Sequence, residues 1–226
     1  MRLSVLTAAA AGLSMVACLA QAAPVIIDFE NYSGTAIVGP VATSGGYSFT
    51  AATGNFAALA NGSGCAPACG ANGTETLVVG AGSGTATATT GPVRMANTGG
   101  TSFYLMSFDF AEFVQGGNPT NANTITITGN LFAGGTVSET VTLDGIGDGP
   151  GGVADFQTTS LAGFWASSLL SSVDFTSALA SGNANGGYQL DNISVSTDAV
   201  VPEPTSLALV SLALLGLGAT ARRRRT

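Results

Sequence analysis

The sequence predicts an all-β protein: an antiparallel β-sandwich flanked by an N-terminal signal peptide and a C-terminal transmembrane helix. Three observations carry this reading. Val, Ile, Leu and Phe recur in short alternating runs, which is the period of a half-buried strand rather than of a helix. The 32 glycines of the 226 residues fall largely between those runs, as connections between strands require. Both ends of the chain are apolar runs of another kind, each with arginine on one flank. The expected organisation is residues 1–22 as a secretory signal, 23–199 as one exported domain and 200–226 as a separate tail. The middle segment is long enough to enclose one sizeable core.

In chain order, Arg2 supplies the charge of a signal peptide, Leu3 to Leu19 its apolar run, and Ala20-Gln21-Ala22 a small-x-small site for signal peptidase, so that the mature chain starts at Ala23. A competing reading takes Met15-Val16-Ala17-Cys18 as a degenerate lipobox with Cys18 lipidated, but Met fits its first position poorly. Val25 to Glu30 opens the domain as a strand with Ile26, Asp28 and Glu30 on one face. Residues 31–46 are turn-rich. Tyr47 to Thr50 and Asn55 to Leu59 are short strands, and Asn61 to Gly73 is a loop holding Cys65 and Cys69. Thr76 to Val79 and Thr85 to Ala88 are weaker strands on either side of Gly80 to Gly84. Ser102 to Phe113, Thr124 to Phe132 and Thr136 to Leu143 are stronger, the last two joined as a hairpin through Ala133-Gly134-Gly135. Asp144 to Gly152 is a loop, and Gly163-Phe164-Trp165 an aromatic corner. Ser171 to Thr176 is another strand, and Tyr188 to Ser196 closes the domain. Only Leu161 to Ser172 has room for a turn or two of helix.

Charge removes several function classes. All 13 acidic residues lie between Asp28 and Glu203, where Arg94 is the one base, so this part carries a formal net charge of −12. Such a field repels phosphate backbones and excludes nucleic acid as a partner; divalent cations and neutral polymers suit it better. Lys and His are absent from the whole chain. Without imidazole there is no Ser-His-Asp triad and no ordinary zinc site. Cys65 and Cys69 stand in the exported segment, where oxidation is expected, and a disulfide closing their small loop is favoured over free thiols. The pairs Asp109 with Glu112 and Asp144 with Asp148 are the candidates for glycosidase chemistry, though no Trp-rich cleft surrounds them. No catalytic residue is assigned, and the protein is read as no enzyme.

The tail stacks three devices. Pro202-Glu203-Pro204 keeps the chain extended, because proline lacks an N–H and disfavours helix in the residue before it. Residues 205–221 are uncharged and, at 17 residues, just long enough to span a bilayer as a helix. Arg222, Arg223, Arg224 and Arg225 fix the cytoplasmic side by the positive-inside rule. This order of Pro-Glu-Pro, hydrophobic span and arginine cluster resembles the PEP-CTERM sorting signal, also catalogued as an ice-binding-protein C-terminal domain. The resemblance implies recognition at the inner membrane by an exosortase, cleavage near Pro202 to Pro204, and transfer to the cell surface or an exopolysaccharide matrix. It concerns sorting only.

A looser resemblance concerns the domain. The opening strand ending Asp28-Phe29-Glu30 and the closing Tyr188 to Val195 look like the first and last strands of jelly-roll domains related to carbohydrate-binding modules. In such domains carboxylates on the two terminal strands share a structural Ca²⁺, which implies Asp28, Glu30 and Asp191 as its ligands here. The alternative is that Asp191-Asn192 bends the strand and makes local backbone bonds. The Asp144 to Gly149 stretch alternates acid and glycine but lacks the full spacing of a calcium loop. The functional expectation is an exported surface or matrix protein with a structural or adhesive sandwich. The alternatives are a specific carbohydrate-binding module and, behind it, a glycan-active enzyme.

Overall fold

The computed structural model describes residues 23–32, 36–60, 70–79, 90–112, 122–143, 155–179 and 187–197. Within them the chain is all-β, in two antiparallel sheets. The cysteines, the acid-glycine stretch, Thr85 to Ala88 and both ends of the chain lie outside the described residues. Among the described residues no helix is long and apolar enough to cross a membrane.

Strand β1 (Val25–Ile27) is shorter than its apolar run because Phe29 turns into the left-handed region at φ 58. The alternation survives the break: Ile27 and Phe29 are fully buried, while Ile26 and Glu30 face solvent. The stretch expected to be turns instead holds β2 (Ala36–Gly39) and β3 (Val41–Ser44). Gly39, at φ 93, and Pro40 form a single corner through which the chain passes from one sheet to the other. Next come β4 (Tyr47–Thr53), β5 (Phe56–Ala60) and β6 (Glu75–Val79).

Strand β7 (Thr90–Asn97) was not expected, since Gly91-Pro92 argues against a strand interior. The ladder accommodates the proline: pairing with β4 slips between Ala51 and Thr53, opposite Pro92. Beyond it Val93 and Met95 alternate into the core. Strands β8 (Tyr104–Glu112), β9 (Ala122–Leu131) and β10 (Thr136–Thr142) follow the expected runs. The β9–β10 hairpin pairs Thr136 with Asn130 through Thr142 with Thr124. Its turn places Gly134 and Gly135 at φ 92 and 88, a conformation a side chain would resist. Strand β11 (Gln157–Ser160) is a short polar edge that the sequence reading passed over. The region with room for helix holds one 3-10 turn, Trp165–Ser167. Strands β12 (Leu170–Leu179) and β13 (Tyr188–Ser196) complete the fold.

The seven-stranded sheet runs β11-β8-β13-β6-β5-β2, with β1 also on β13; the six-stranded sheet runs β10-β9-β12-β7-β4-β3. Their inner faces meet in one core. Phe108 of one sheet meets Phe175 of the other edge-on at 5.7 Å, and Phe29 lies 5.1 Å from Phe49. Trp165 is buried in this core, as a corner residue packs, and not exposed as a sugar platform would be. The opening and closing strands lie side by side, Val25 opposite Val195 and Ile27 opposite Ile193. That places β13 between β8 on one flank and both β6 and β1 on the other.

Candidate functional site

The chain concentrates its buried polar groups where β13 changes neighbours. Tyr188 and Leu190 face the core, and so do Ile193 and Val195, so the inward parity switches by one residue between them. Asn192, at φ 46, absorbs that extra residue. In the pairing with β8 the register moves from Asp191↔Asp109 to Ser194↔Ser107, three residues on one strand against two on the other, which is a β-bulge. On the other flank β6 pairs only as far as Leu190 and β1 begins at Ile193. Asp191 and Asn192 therefore sit in the gap between β6 and β1, on the face away from the core.

Residues 70–74 close over this gap. The Gly70 N–H donates to Gln189 Oε1 at 2.6 Å, and Gln189 Nε2 donates to Thr76 Oγ1 at 2.8 Å. Asp191 has no exposed surface. Its Oδ2 accepts from Asn72 Nδ2 at 2.6 Å and from the Thr74 hydroxyl at 2.7 Å, and its Oδ1 accepts from the Asn192 N–H at 2.8 Å. Asn192 Nδ2 reaches across to Asp109 Oδ2 at 3.0 Å, and Asp109 Oδ1 accepts from the Thr158 hydroxyl at 2.6 Å. Burial pushes the Asp191 carboxyl up to about 6 and the Asp109 charge adds to that, against the pull of its three donors. Burial of the phenol of Tyr188, the first residue of β13, likewise raises it.

The other implied calcium ligands lie at the end of β1. Asp28 Oδ1 accepts from the Glu30 N–H at 3.3 Å, and Glu30 Oε1 accepts from the Glu75 N–H at 2.8 Å. Both carboxylates thus accept backbone N–H bonds, Asp28 from its near neighbour and Glu30 from the start of β6, and Asp191 is engaged by its own donors. Among the described residues no three acidic side chains gather as a group that could hold a metal ion. Asp109 and Glu112 stand three apart on β8, so they project to opposite faces of the sheet. The sequence reading singled out Asp191, and in its alternative Asp191-Asn192 as a bend with local backbone bonds, which the bulge and the Asn192 N–H bond to Asp191 match; it missed Asn72, Thr74 and Gln189. The signal for the bulge was present in YQLDNISV, where the apolar residues change from even to odd positions across Asp191-Asn192.

The second feature is on the outer face of the six-stranded sheet. Hydroxyls line much of its outward surface on β9 and β10, with Thr126 and Thr140 at 3.0 Å and Thr128 and Ser138 at 3.3 Å. A shallow, open hollow of about 290 Å³ is lined by Thr50, Ala51, Ala52, Pro92, Arg94 and Asp174. Arg94 grips Asp174 with two bonds, Nε to Oδ1 at 2.8 Å and Nη2 to Oδ2 at 2.9 Å. Burial raises Asp174, but its bonds from Arg94 and Asn130 and the Arg94 charge outweigh that and hold it below the usual carboxylate range.

The tail is identified by comparison with known families. Residues 200–225 match the PEP-CTERM protein-sorting motif. The chain therefore carries a PEP-CTERM sorting signal. The match begins one residue ahead of the span of Val201 to Arg225 that holds Pro202-Glu203-Pro204 and the four arginines. A PEP-CTERM signal supports export, a membrane-anchored precursor and handling by an exosortase. No curated protein matches the chain. Among solved structures, the K2 cleaved adhesin domain of Lys-gingipain is similar at 15% identity over 76% of this chain and 97% of that one, with a TM-score of 0.44. An arabinose-bound MgGH51 α-L-arabinofuranosidase is similar at 13% identity over 78% of this chain and 26% of that one, with a TM-score of 0.42. Likenesses this distant carry no functional argument for the PEP-CTERM cargo domain.

Proposed function

We propose that this is a surface or extracellular-matrix protein whose β-sandwich has a structural or adhesive, non-catalytic role. The observation that carries the reading is the sorting motif at residues 200–225. On this reading signal peptidase removes residues 1–22, residues 205–221 hold the precursor in the membrane, and an exosortase cuts near Pro202 to Pro204. The net charge of −12 between Asp28 and Glu203 supports cation-bridged association with an exopolysaccharide rather than binding to nucleic acid. The buried Asp191 network supports a structural role as well, because its polar atoms are turned toward one another instead of toward a cleft.

The hollow at Arg94 and Asp174 favours a second reading, a specific carbohydrate-binding module. A guanidinium and a carboxylate held side by side offer a donor and an acceptor to a sugar diol. Saturable binding of a defined glycan, lost on Asp174→Asn, separates this from the structural reading.

The test of the first reading is the intact mass of the protein from the native host's envelope and medium. A chain starting at Ala23 and ending near Pro202 to Pro204 is expected. A mass that retains the arginines overturns exosortase processing.

A further inference from the structure

Among the described residues, strand β10 forms one margin of the six-stranded sheet and pairs on one side only, with β9. It has seven residues, whereas the edges β3, β2 and β11 have four each. Apart from the half-buried Val137 and Val141, all its residues are exposed. A long exposed edge is a template for pairing with another strand.

The sequence of that edge is nearly its own reverse. Thr136-Val137-Ser138-Glu139-Thr140-Val141-Thr142 reads the same in both directions except for the exchange of Ser138 and Thr140. A two-fold axis through an antiparallel pair places each residue opposite its mirror position, so an isologous contact rewards such a sequence. Centred on Glu139, it sets Val137 against the second copy's Val141, Ser138 against its Thr140 and Thr136 against its Thr142. The valines already pack on the margin of the core, so their pairing extends an apolar layer. The outward hydroxyls extend the rows in which Thr126 meets Thr140 and Thr128 meets Ser138.

One pair in this register is unfavourable. Glu139, the single charge on β10, lies on the valine side of the strand and meets its own copy. Directly opposed residues of an antiparallel pair stand about 4.5–5.5 Å apart at Cα, and like charges there are destabilising. A charge on the inward side of an edge strand is also a known means of keeping sheets from joining. Two facing carboxylates are, at the same time, hard oxygen ligands for a divalent cation.

We propose that β10 is a self-association edge: two copies pair antiparallel about Glu139, joining their six-stranded sheets, and a divalent cation between the two facing Glu139 carboxylates controls the pairing. This deepens the structural reading above and rests on it for its role in a surface layer. Its test does not depend on processing, so failure of either leaves the other standing.

The test is sedimentation velocity of the full chain in a mild detergent, with calcium or with a chelator, where association through the tail is common to all variants. Wild type is expected to associate in calcium and to separate in chelator. Glu139→Gln is expected to associate in both, roughly tenfold more tightly than wild type in chelator, as removal of a close like-charge pair implies. Glu139→Arg is expected to remain separate in both, yet to associate with wild type when the two are mixed in chelator, because the facing pair is then of opposite sign. Glu139 is exposed, so these changes leave the core intact. Equal association of Glu139→Gln and wild type in chelator, or no association in the mixture, overturns the proposal.

Discussion

Asp191 and Asp109 stand directly opposite each other on β13 and β8, and the side chain of Asn192 ties them together by donating to Asp109 while its backbone N–H donates to Asp191. Two carboxylates on adjacent strands, one fully buried, are an arrangement that folding resists when both are ionised. The donors around Asp191 offset that resistance in part and fix the bulge in place.

The pH dependence follows from the direction of the Asp191 shift. Its folded value, about 6, lies above the ordinary 3.8, so the folded state binds the proton more tightly than the unfolded state. Stability from this group is fully present below pH 3.8 and is lost as pH rises toward 6. The loss amounts to at most about 3 kcal/mol for a shift of this size. Thermal unfolding between pH 4 and 7 is expected to show a decline in Tm that Asp191→Asn abolishes. A flat wild-type profile contradicts the assignment.

Asn192 separates backbone strain from side-chain bonding. At φ 46 a residue with a Cβ pays a left-handed penalty that Gly avoids, about 1 kcal/mol. Asn192→Gly loses the bond to Asp109 but relieves the strain, whereas Asn192→Ala loses the bond and keeps the strain. Denaturant unfolding is expected to rank wild type above Asn192→Gly and that above Asn192→Ala, with the last costing about 1–3 kcal/mol. Equal stability of the two variants would remove the strain argument.

The hairpin β9–β10 was legible in the sequence because alternation, β-branched residues and a glycine turn all agree there. β7 was not, since Gly91-Pro92 speaks locally against a strand and only the slipped register opposite it makes the proline tolerable. The turn-rich reading of residues 31–46 failed for a similar reason: Gly39-Pro40 marks one sharp corner between two sheets, and local composition cannot tell a corner from a loop. Of the candidate site, Asp191 was visible as a carboxylate on the closing strand. Its donors Asn72 and Thr74 stand 119 and 117 residues away in sequence, a separation that no local pattern encodes.

Gly129 tests how closely β9 packs on the 3-10 turn. A Cβ built there meets Leu170 Cδ2 at 2.8 Å, Trp165 Cζ3 at 2.9 Å and Val137 Cγ1 at 3.0 Å. Gly129→Ala is therefore overpacked and is expected to cost about 1–3 kcal/mol. Trp165 is the chain's single tryptophan, so its emission reports the same change as a shift from the wild-type spectrum. An unaltered spectrum and midpoint would mean that the turn moves aside freely.

The acid limb of stability is expected to belong to a different carboxylate. Asp174 is held below the ordinary 3.8 by Arg94 and Asn130, so its contribution is present above that value and is lost as pH falls through its lower folded one. This is the opposite sign to Asp191, and the windows adjoin without overlapping, Asp174 acting below pH 3.8 and Asp191 between 3.8 and 6. The combined contribution of these two groups is therefore greatest near pH 4. Arg94 is 59% exposed, so its pair with Asp174 is screened by solvent and contributes under about 1 kcal/mol. Arg94→Gln is expected to flatten the profile below pH 4 by that small amount and to leave the decline between 4 and 6 unchanged. A change in the upper window on Arg94→Gln would show that the two carboxylates, on different sheets, titrate together.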